Sequence, residues 1–287
     1  MSLPRFEFHA PDTFEELFAL AARYGDEARY LAGGTALMLL MRAEILHPAA
    51  LLALHRLPAL REITRDNGRV RLGGLATHAE LARSPLVREH FPALAQAFGH
   101  VATPRIRNVG TVGGNLVHAD PHQDPPVALI ALGASVVARG PEGERRIPLD
   151  EFCVGYYETA LRPHEVVTAV DVPVPGGTVR TAFIKFLSRS ADDYATVNVA
   201  VALREAGGQV AEARIALGCL APAPVRAREA EAVLIGQAPD ETRLRMAGEA
   251  AVAAIDPALD SRGTPAYKRR VTPVVVARAI LQAWNRP

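Results

Sequence analysis

The chain has 287 residues, 49% hydrophobic and 22% charged, enough to bury the core of one large domain or of two to three smaller ones. Its 32 basic and 31 acidic residues leave a net charge of +1, which gives no electrostatic basis for binding nucleic acid or an anionic membrane. The longest uncharged run, residues 125–138, is shorter than the roughly 18 residues that a membrane-spanning helix needs.

The first predicted unit, residues 1–56, alternates helix and strand. Its start lacks a basic segment followed by an apolar one, so we expect no secretion signal and a cytoplasmic protein. Thr13 and Glu16 have the spacing of a capping box, which predicts a helix that ends at Gly25. The elements predicted after it are a strand, a helix and a buried strand, at 29–32, 36–42 and 50–54.

The second predicted unit, residues 57–176, mixes strands with short helices. Thr77 and Glu80 repeat the capping-box spacing, and we favour a helix cap over a ligand contact for Thr77. The remaining elements are strands at 69–74, 135–140 and 165–174, a turn and strand at 141–149, and helices at 93–99 and 126–133.

The third predicted unit, residues 177–287, begins after a cluster of proline and glycine at 173–177. The segments FIKFLSRS, YATVNVAVALRE and VAEARIALGCLA predict three antiparallel strands, and Gly207-Gly208 turns the second into the third. Helices are predicted at about 225–235, 240–255 and 266–284. The fold class is therefore α+β, with mixed sheets.

Two segments, LAGGTALM (31–38) and GTVGGNLV (110–117), share an order of strand, Gly-Gly, small polar residue and apolar residue. Glycine lets backbone amides approach a phosphate closely. Neither segment has the lysine of a Walker loop, and neither fits GxGxxG. Each alone is also typical of a plain turn, but the pair could hold a pyrophosphate between them.

The segment HADPHQD places His118, Asp120, His122 and Asp124 at every second position. A metal site and a polar surface loop are both open interpretations, although Pro121 disfavours a helix with both histidines on one face. The two cysteines, Cys153 and Cys219, are far apart and form no CxxC motif. They predict neither a disulfide framework nor an iron–sulfur cluster held by this chain alone.

AGGTALMLLMR and RIRNVGTVGGNLVHADPHQDPP resemble the two FAD-binding loops of the flavoprotein, or medium, subunit of molybdenum hydroxylases, the family of carbon monoxide dehydrogenase medium subunits and xanthine dehydrogenase FAD domains. The resemblance continues through DEFCVGYYETALRPHEVVTAVDVP, AFIKFLSRSADDYATVNVAVAL, IALGCLAPAPVRAREAEAVL and AYKRRVTPVVVARAI, over nearly the full chain. It implies an FAD-binding fold of the p-cresol methylhydroxylase type. The two N-terminal subdomains would be 1–56 and 57–176, and the C-terminal domain 177–287.

The resemblance also implies the cofactor contacts. In the first loop they are Ala32, Gly33, Gly34, Thr35 and Ala36 at the pyrophosphate, with Leu31 and Leu37 beside them. The second loop contributes Thr111, Gly113, Gly114 and Asn115, followed by His118 and Asp124, and the segment near the adenosine half contributes Val101 and Ala102. Asp120 is a weaker assignment, because Asp-Pro commonly starts a turn. Many relatives carry AGGHS or AGGTD where this chain has AGGTA, so Ala36 offers only a backbone amide.

Three further positions are expected to shape the flavin by the same resemblance. Leu161 would pack on the isoalloxazine ring, Tyr194 would cover its other face, and Lys185 would lie near its redox end. A cation there would stabilise the anionic reduced flavin. The alternatives are a strand tyrosine packed on the core for Tyr194 and a solvated strand residue for Lys185.

The function implied is electron transfer by bound FAD, with no metal on this chain. Electrons would come from a [2Fe–2S] small subunit and a large subunit with the molybdenum cofactor, in a dimer of heterotrimers. A free-standing FAD oxidase or dehydrogenase is the main alternative, and co-purifying partner chains would distinguish it. A metal-dependent hydrolase built on HADPHQD and a cofactor-free assembly scaffold are two others, to be tested by metal analysis and by FAD binding.

Overall fold

The computed structural model of the protein describes residues 4–187, 190 and 193–286. Its first unit is a parallel three-stranded sheet of order β1-β3-β2 with α1 packed on it. The elements are β1 (Glu7–His9), α1 (Phe14–Tyr24), β2 (Ala28–Leu31), α2 (Thr35–Arg42) and β3 (Ala50–Ala53). Leu17 and Ala21 of α1 are buried against Leu52 of β3, which explains the predicted helical spacing of these apolar residues.

The second unit contains a five-stranded antiparallel sheet of order β4-β5-β10-β6-β7. Its first elements are β4 (Ile63–Asp66), β5 (Arg69–Gly73), α3 (His78–Arg83), α4 (Pro85–His90), α5 (Pro92–Gly99), α6 (Pro104–Arg107) and α7 (Val112–His118). They are followed by α8 (Pro125–Ala131), β6 (Ser135–Gly140), β7 (Gly143–Pro148), β8 (Cys153–Gly155), β9 (Glu158–Thr159) and β10 (Val166–Pro173). Strands β8 and β9 pair as a separate small hairpin.

The third unit is a four-stranded antiparallel sheet followed by helices. Its elements are β11 (Val179–Phe186), β12 (Val197–Ala206), β13 (Gln209–Gly218), β14 (Val225–Arg226), α9 (Arg228–Leu234), α10 (Glu241–Ala250) and α11 (Pro265–Trp284). One face of the sheet packs on α9, α10 and α11. From the other face, Phe183, Ala200 and Ala216 join the core of the second unit. Because successive side chains of a strand point to opposite faces of the sheet, alternate residues of these strands pack into two different cores.

The predicted α+β class is confirmed, since helices combine with one parallel sheet and with antiparallel sheets. The C-terminal sheet has a fourth, two-residue strand, β14, that the sequence did not predict. Ser188 and Arg189, in the predicted strand FIKFLSRS, and Asp192, in the segment that leads to Tyr194, lie outside the described residues. Each of the three larger sheets lies within one of the predicted units, 1–56, 57–176 and 177–287. The exact boundaries between these units stay a prediction. Within the described residues, no helix is both long and apolar enough to cross a membrane.

The expectation that a strand leads into each diglycine was wrong for the second segment. Gly113 and Gly114 lie in the first turn of α7, and Thr111 before them only forms an isolated bridge with Thr77. Tertiary hydrogen bonds explain this helix, because Val112 N donates to Ala76 O at 3.0 Å. The first segment does follow a strand, β2, as predicted.

Candidate functional site

The first diglycine forms the N-terminus of α2. Gly34, the residue before the helix, has a left-handed backbone with φ 70°, which favours glycine, and it supplies no capping side chain. Among the described residues, none provides a hydrogen-bond acceptor for the amides of 34–37. The first turn of α2 also contains no acidic residue. These free N–H groups and the helix dipole make this end of α2 suitable for an anion.

The two diglycine segments lie against each other. A Cβ at Gly33 would overlap the carbonyl oxygen of Val109, just before the second segment. A Cβ at Gly114 would lie 3.6 Å from the Cβ of Ala32 and 3.0 Å from Thr111 Oγ1. Glycine at 33 is therefore required for the close approach of the two segments, whatever ligand they hold.

The second segment differs from the first in what it offers a ligand. Its early amides are already bonded, since Gly113 N donates to Gly74 O at 2.9 Å and Gly114 N to Thr111 Oγ1 at 3.1 Å. The side-chain oxygen of Asn115 is buried and has no partner within the described part of the chain. The second segment therefore offers side-chain groups such as this oxygen, and the first segment offers amides.

The predicted adenosine segment, Val101 and Ala102, lies between α5 and α6. Ala102 has φ 39°, and Arg107 Nη1 donates to both carbonyls, at 2.8 Å for Val101 and 2.5 Å for Ala102. Sequence reasoning missed Arg107, although its place at the end of RIR beside the second loop was a possible signal. Its guanidinium fixes the backbone of this segment.

The four polar side chains of HADPHQD contact different partners. The ring of His118 lies 5.2 Å from that of Tyr157, and His122 Nδ1 lies 3.0 Å from Asp120 Oδ1. Asp124 turns away to Lys185. In the part of the chain that the structure describes, no cluster of three His, Cys, Asp or Glu is arranged to hold a metal ion. The geometry therefore gives the metal interpretation no support.

Asp124 and Lys185, which the sequence assigned separately to the cofactor, form a buried ion pair with each other. Lys185 Nζ donates to Asp124 Oδ2 and to His100 O, each at 2.9 Å, and the two side chains are only 3% and 4% exposed. Asn198 donates to the other carboxylate oxygen at 3.1 Å. Burial raises the pKa of Asp124, and the nearby ammonium of Lys185 opposes that rise. Lys185 is thus not a solvated strand residue.

Tyr194 is 42% exposed and lies at a second polar cluster. Its ring centroid is 5.7 Å from that of His122 and 5.0 Å from the guanidinium carbon of Arg262. Partial burial, followed by the nearby carboxylate of Asp120, raises the pKa of the Tyr194 hydroxyl. Tyr194 is therefore held at the surface, with part of its side chain open to a ligand. Sequence reasoning gave no role to Arg262, for which no local motif was a signal.

The structure joins the predicted residues in three groups. One contains the two diglycine segments, another contains Asp124 and Lys185 next to the 101–102 segment, and a third contains Tyr194 with Asp120. His118 packs on the β8–β9 hairpin through Tyr157, and Leu161 is partly buried against the core of the second unit.

The free amides of 34–37, the glycines that allow close approach and the unpartnered Asn115 oxygen suit a dinucleotide. A pyrophosphate is acceptor-rich and would pair with the amides. A ribose or ribityl hydroxyl would supply the donor that the Asn115 oxygen lacks. On these observations, the residues present fit FAD.

Two family models match consecutive parts of the chain. The family model described as the FAD binding domain in molybdopterin dehydrogenase matches residues 4–175. The model for the CO dehydrogenase flavoprotein C-terminal domain matches residues 182–283.

Individual relatives match over nearly their whole lengths. The carbon monoxide dehydrogenase medium chain of Hydrogenophaga pseudoflava is 37% identical over 99% of this chain and 98% of its own. The nicotine 6-hydroxylase medium subunit of Paenarthrobacter nicotinovorans is 32% identical over 100% of both. The solved carbon monoxide dehydrogenase from Hydrogenophaga pseudoflava, in a form that lacks the Mo-pyranopterin moiety, has a chain that matches with a TM-score of 0.96. That chain is 39% identical over 99% of each.

Proposed function

The chain belongs to the family of FAD-binding medium subunits of molybdenum hydroxylases, and from this premise we propose how its own residues hold FAD and support electron transfer. It is an oxidoreductase subunit with the FAD-binding fold of the p-cresol methylhydroxylase type. Its cofactor is FAD, and molybdenum and [2Fe–2S] centres belong to other chains of such complexes. The relatives are named as medium chains or subunits of complexes, which favours this function over a free-standing flavin enzyme, a hydrolase or a scaffold.

One observation carries the proposal for the site: the amides of 34–37, at the point where the two diglycine segments touch, have no acceptor among the residues that the structure describes. These amides, with the dipole of α2, stabilise the two negative charges of the pyrophosphate. No lysine is needed, which suits a chain whose lysines are only Lys185 and Lys268. Asn115 and Thr111 orient the cofactor from the opposite side.

The remaining predicted residues are proposed to surround the rest of the cofactor. When bound, FAD would supply the redox chemistry that links an iron–sulfur centre to an external acceptor. Val101 and Ala102, fixed by Arg107, face the adenosine half. Leu161 and Tyr194 enclose the isoalloxazine ring. Lys185, which the resemblance assigns to the redox end, is paired with Asp124 and hydrogen-bonds His100 O beside the 101–102 segment, a position that favours the adenosine side instead.

The partners are proposed from the family. The relatives above are named as medium chains or subunits of enzymes that act on carbon monoxide and on nicotine, so similar chains serve unlike substrates. We therefore assign substrate recognition to a large molybdenum subunit and the electron relay to a [2Fe–2S] small subunit, in a cytoplasmic dimer of heterotrimers. Affinity purification from the native host, followed by the native mass and the subunit ratio, tests this arrangement.

The FAD site is tested by the absorption spectrum of the purified chain, with and without added FAD, before and after dithionite. We expect flavin bands that bleach on reduction. Gly33→Ala should push the two segments apart, because the added Cβ would overlap the Val109 carbonyl oxygen. We expect FAD binding to weaken at least about tenfold, which corresponds to a loss of about 1.4 kcal/mol in binding free energy. Gly176→Ala is the matched control, since its Cβ meets nothing within 4 Å. A wild-type chain that stays colourless, alone and with its partners, would contradict the proposal and favour the scaffold.

A further inference from the structure

His122 is held at both ring nitrogens by carboxylates from two parts of the chain. Nδ1 lies 3.0 Å from Asp120 Oδ1, and Nε2 lies 3.2 Å from Asp260 Oδ2. The His122 amide also donates to Asp120 Oδ1 at 2.9 Å. An ionised carboxylate only accepts, and the two acceptors lie at the two different nitrogens of the ring. Two fixed contacts leave the ring one orientation.

Asp260 is anchored independently of His122. Its Oδ2 accepts from Lys268 Nζ at 2.7 Å, and its Oδ1 accepts from the Arg262 amide at 2.8 Å. Lys268 is 1% exposed and also donates to the carbonyls of Cys219 and Ala258. Burial acts to raise the pKa of Asp260, but the bonds from Lys268, the Arg262 amide and His122 outweigh it and hold the pKa at about 2. Asp260 is therefore a charged, immobile acceptor.

Asp260 thereby contacts two residues, His122 and Arg262, whose side chains lie against the Tyr194 ring. It bonds His122 through the ring nitrogen and Arg262 through the backbone. Arg262 is held again by its ion pair with Asp193, at 2.9 Å. A neutral tyrosine packs favourably against a guanidinium and an imidazole, and such contacts are directional. The Tyr194 hydroxyl also hydrogen-bonds the Asp120 carboxylate, so the place of the ring follows from Asp120 together with these two groups.

We propose that His122, fixed between Asp120 and Asp260, is a positioning residue that sets where the Tyr194 ring lies over the flavin. The inference rests on the proposed function, because it takes Tyr194 to cover the isoalloxazine ring. Without His122, the tyrosine loses one packing partner and Asp120 loses its ring donor. The Tyr194 ring then has several positions, and an external acceptor reaches the flavin more easily.

The first test needs no FAD. The chain has six tyrosines, so a spectrum of the apo chain with labelled tyrosine rings is simple, and Tyr194→Phe assigns the resonance of interest. His122→Ala should move that resonance towards the position of an exposed tyrosine. His9→Ala is the matched control: the ring of His9 also lies beside a tyrosine, Tyr24 at 5.4 Å, and its Nε2 lies 3.4 Å from Glu7 in β1. That control should leave the Tyr194 resonance in place.

The second test uses the FAD-loaded chain, measuring flavin fluorescence and the reoxidation rate of the dithionite-reduced chain by oxygen. His122→Ala and Tyr194→Ala should each increase the flavin fluorescence and the reoxidation rate. The rate should rise about tenfold, which corresponds to a change of about 1.4 kcal/mol in the activation barrier. The double variant should differ little from either single variant, because both substitutions remove the same arrangement, the Tyr194 ring held in place by His122. His122→Gln keeps one hydrogen bond and should fall between wild type and His122→Ala.

An unchanged Tyr194 resonance in His122→Ala, or additive effects in the double variant, would overturn the inference. Should the alanine variant fail to fold, His122→Gln is judged by the same two measurements. A wild-type chain that binds no FAD would refute the proposed function instead. The apo-chain resonance would still show whether His122 positions Tyr194.

Discussion

At the scale of single residues, the ion pair between Lys185 and Asp124 is a buried polar link between the C-terminal sheet and the second unit. Both side chains are almost inaccessible to water, so each depends on the other and on a few hydrogen bonds. Because the carboxylate lies 2.9 Å from the ammonium, it offsets most of the positive charge. We therefore expect Lys185 to affect a nearby flavin less than an unpaired lysine would.

Removing one member of this pair should be far more damaging than removing both. Lys185→Met should lower the free energy of unfolding by about 3–5 kcal/mol, because Asp124 is left buried and uncompensated. Adding Asp124→Asn should restore most of that loss. Urea unfolding of the apo chain measures both effects.

The control for this prediction is the exposed pair of Arg204 and Glu212, whose side chains are 37% and 69% exposed. Arg204→Met should change the free energy of unfolding by less than about 1 kcal/mol. A Lys185→Met, Asp124→Asn double variant as unstable as Lys185→Met alone would show that the ion pair is not the reason for the loss.

At the scale of elements, α3 begins with a complete capping box, as the sequence predicted. Thr77 Oγ1 accepts from Glu80 N at 3.2 Å, and Thr77 N donates to Glu80 Oε2 at 2.8 Å. Thr77→Ala should therefore cost about 1 kcal/mol of stability, with Thr77→Ser keeping most of it. FAD titration should give the same affinity for all three proteins. A loss of affinity without a loss of stability would instead make Thr77 a cofactor contact.

Elements with local signals were predictable, and those held by distant contacts were not. Helix α1 follows from its cap at Thr13 and from its apolar spacing. Helix α7 has Gly113 and Gly114, residues of low helix propensity, in its first turn, and hydrogen bonds to residues 74 and 76 hold it in place. The same limit applies to the site. The glycines identified the two loops, but His122 meets a carboxylate 138 residues away, which no local pattern records.

At the scale of the whole molecule, the C-terminal sheet belongs to two cores. Val127 of α8 packs so closely on Gly218 of β13 that a Cβ there would lie 2.6 Å from it. Cys219 N donates to Pro121 O at 3.0 Å, and Asn198 donates to Gln123 O at 3.2 Å, both across the same boundary. The proline–glycine segment at 173–177 therefore divides the chain without dividing the core.

A shared core predicts that the second unit and the C-terminal domain unfold together. Phe183 of β11 is fully buried in the core that it shares with α5 and α8. Phe183→Ala should lower the free energy of unfolding by about 3–5 kcal/mol.

The single tryptophan, Trp284, reports the unfolding of α11 by its fluorescence, and hydrogen exchange of β5 and β10 reports the unfolding of the second unit. Both signals should shift to the same lower denaturant midpoint, because losing the side chain weakens one cooperative unit. Val274→Ala, at a half-exposed position of α11, is the control and should change neither denaturant midpoint substantially. Separate midpoints for the two signals in Phe183→Ala would mean that the boundary near residue 176 is also a boundary in stability.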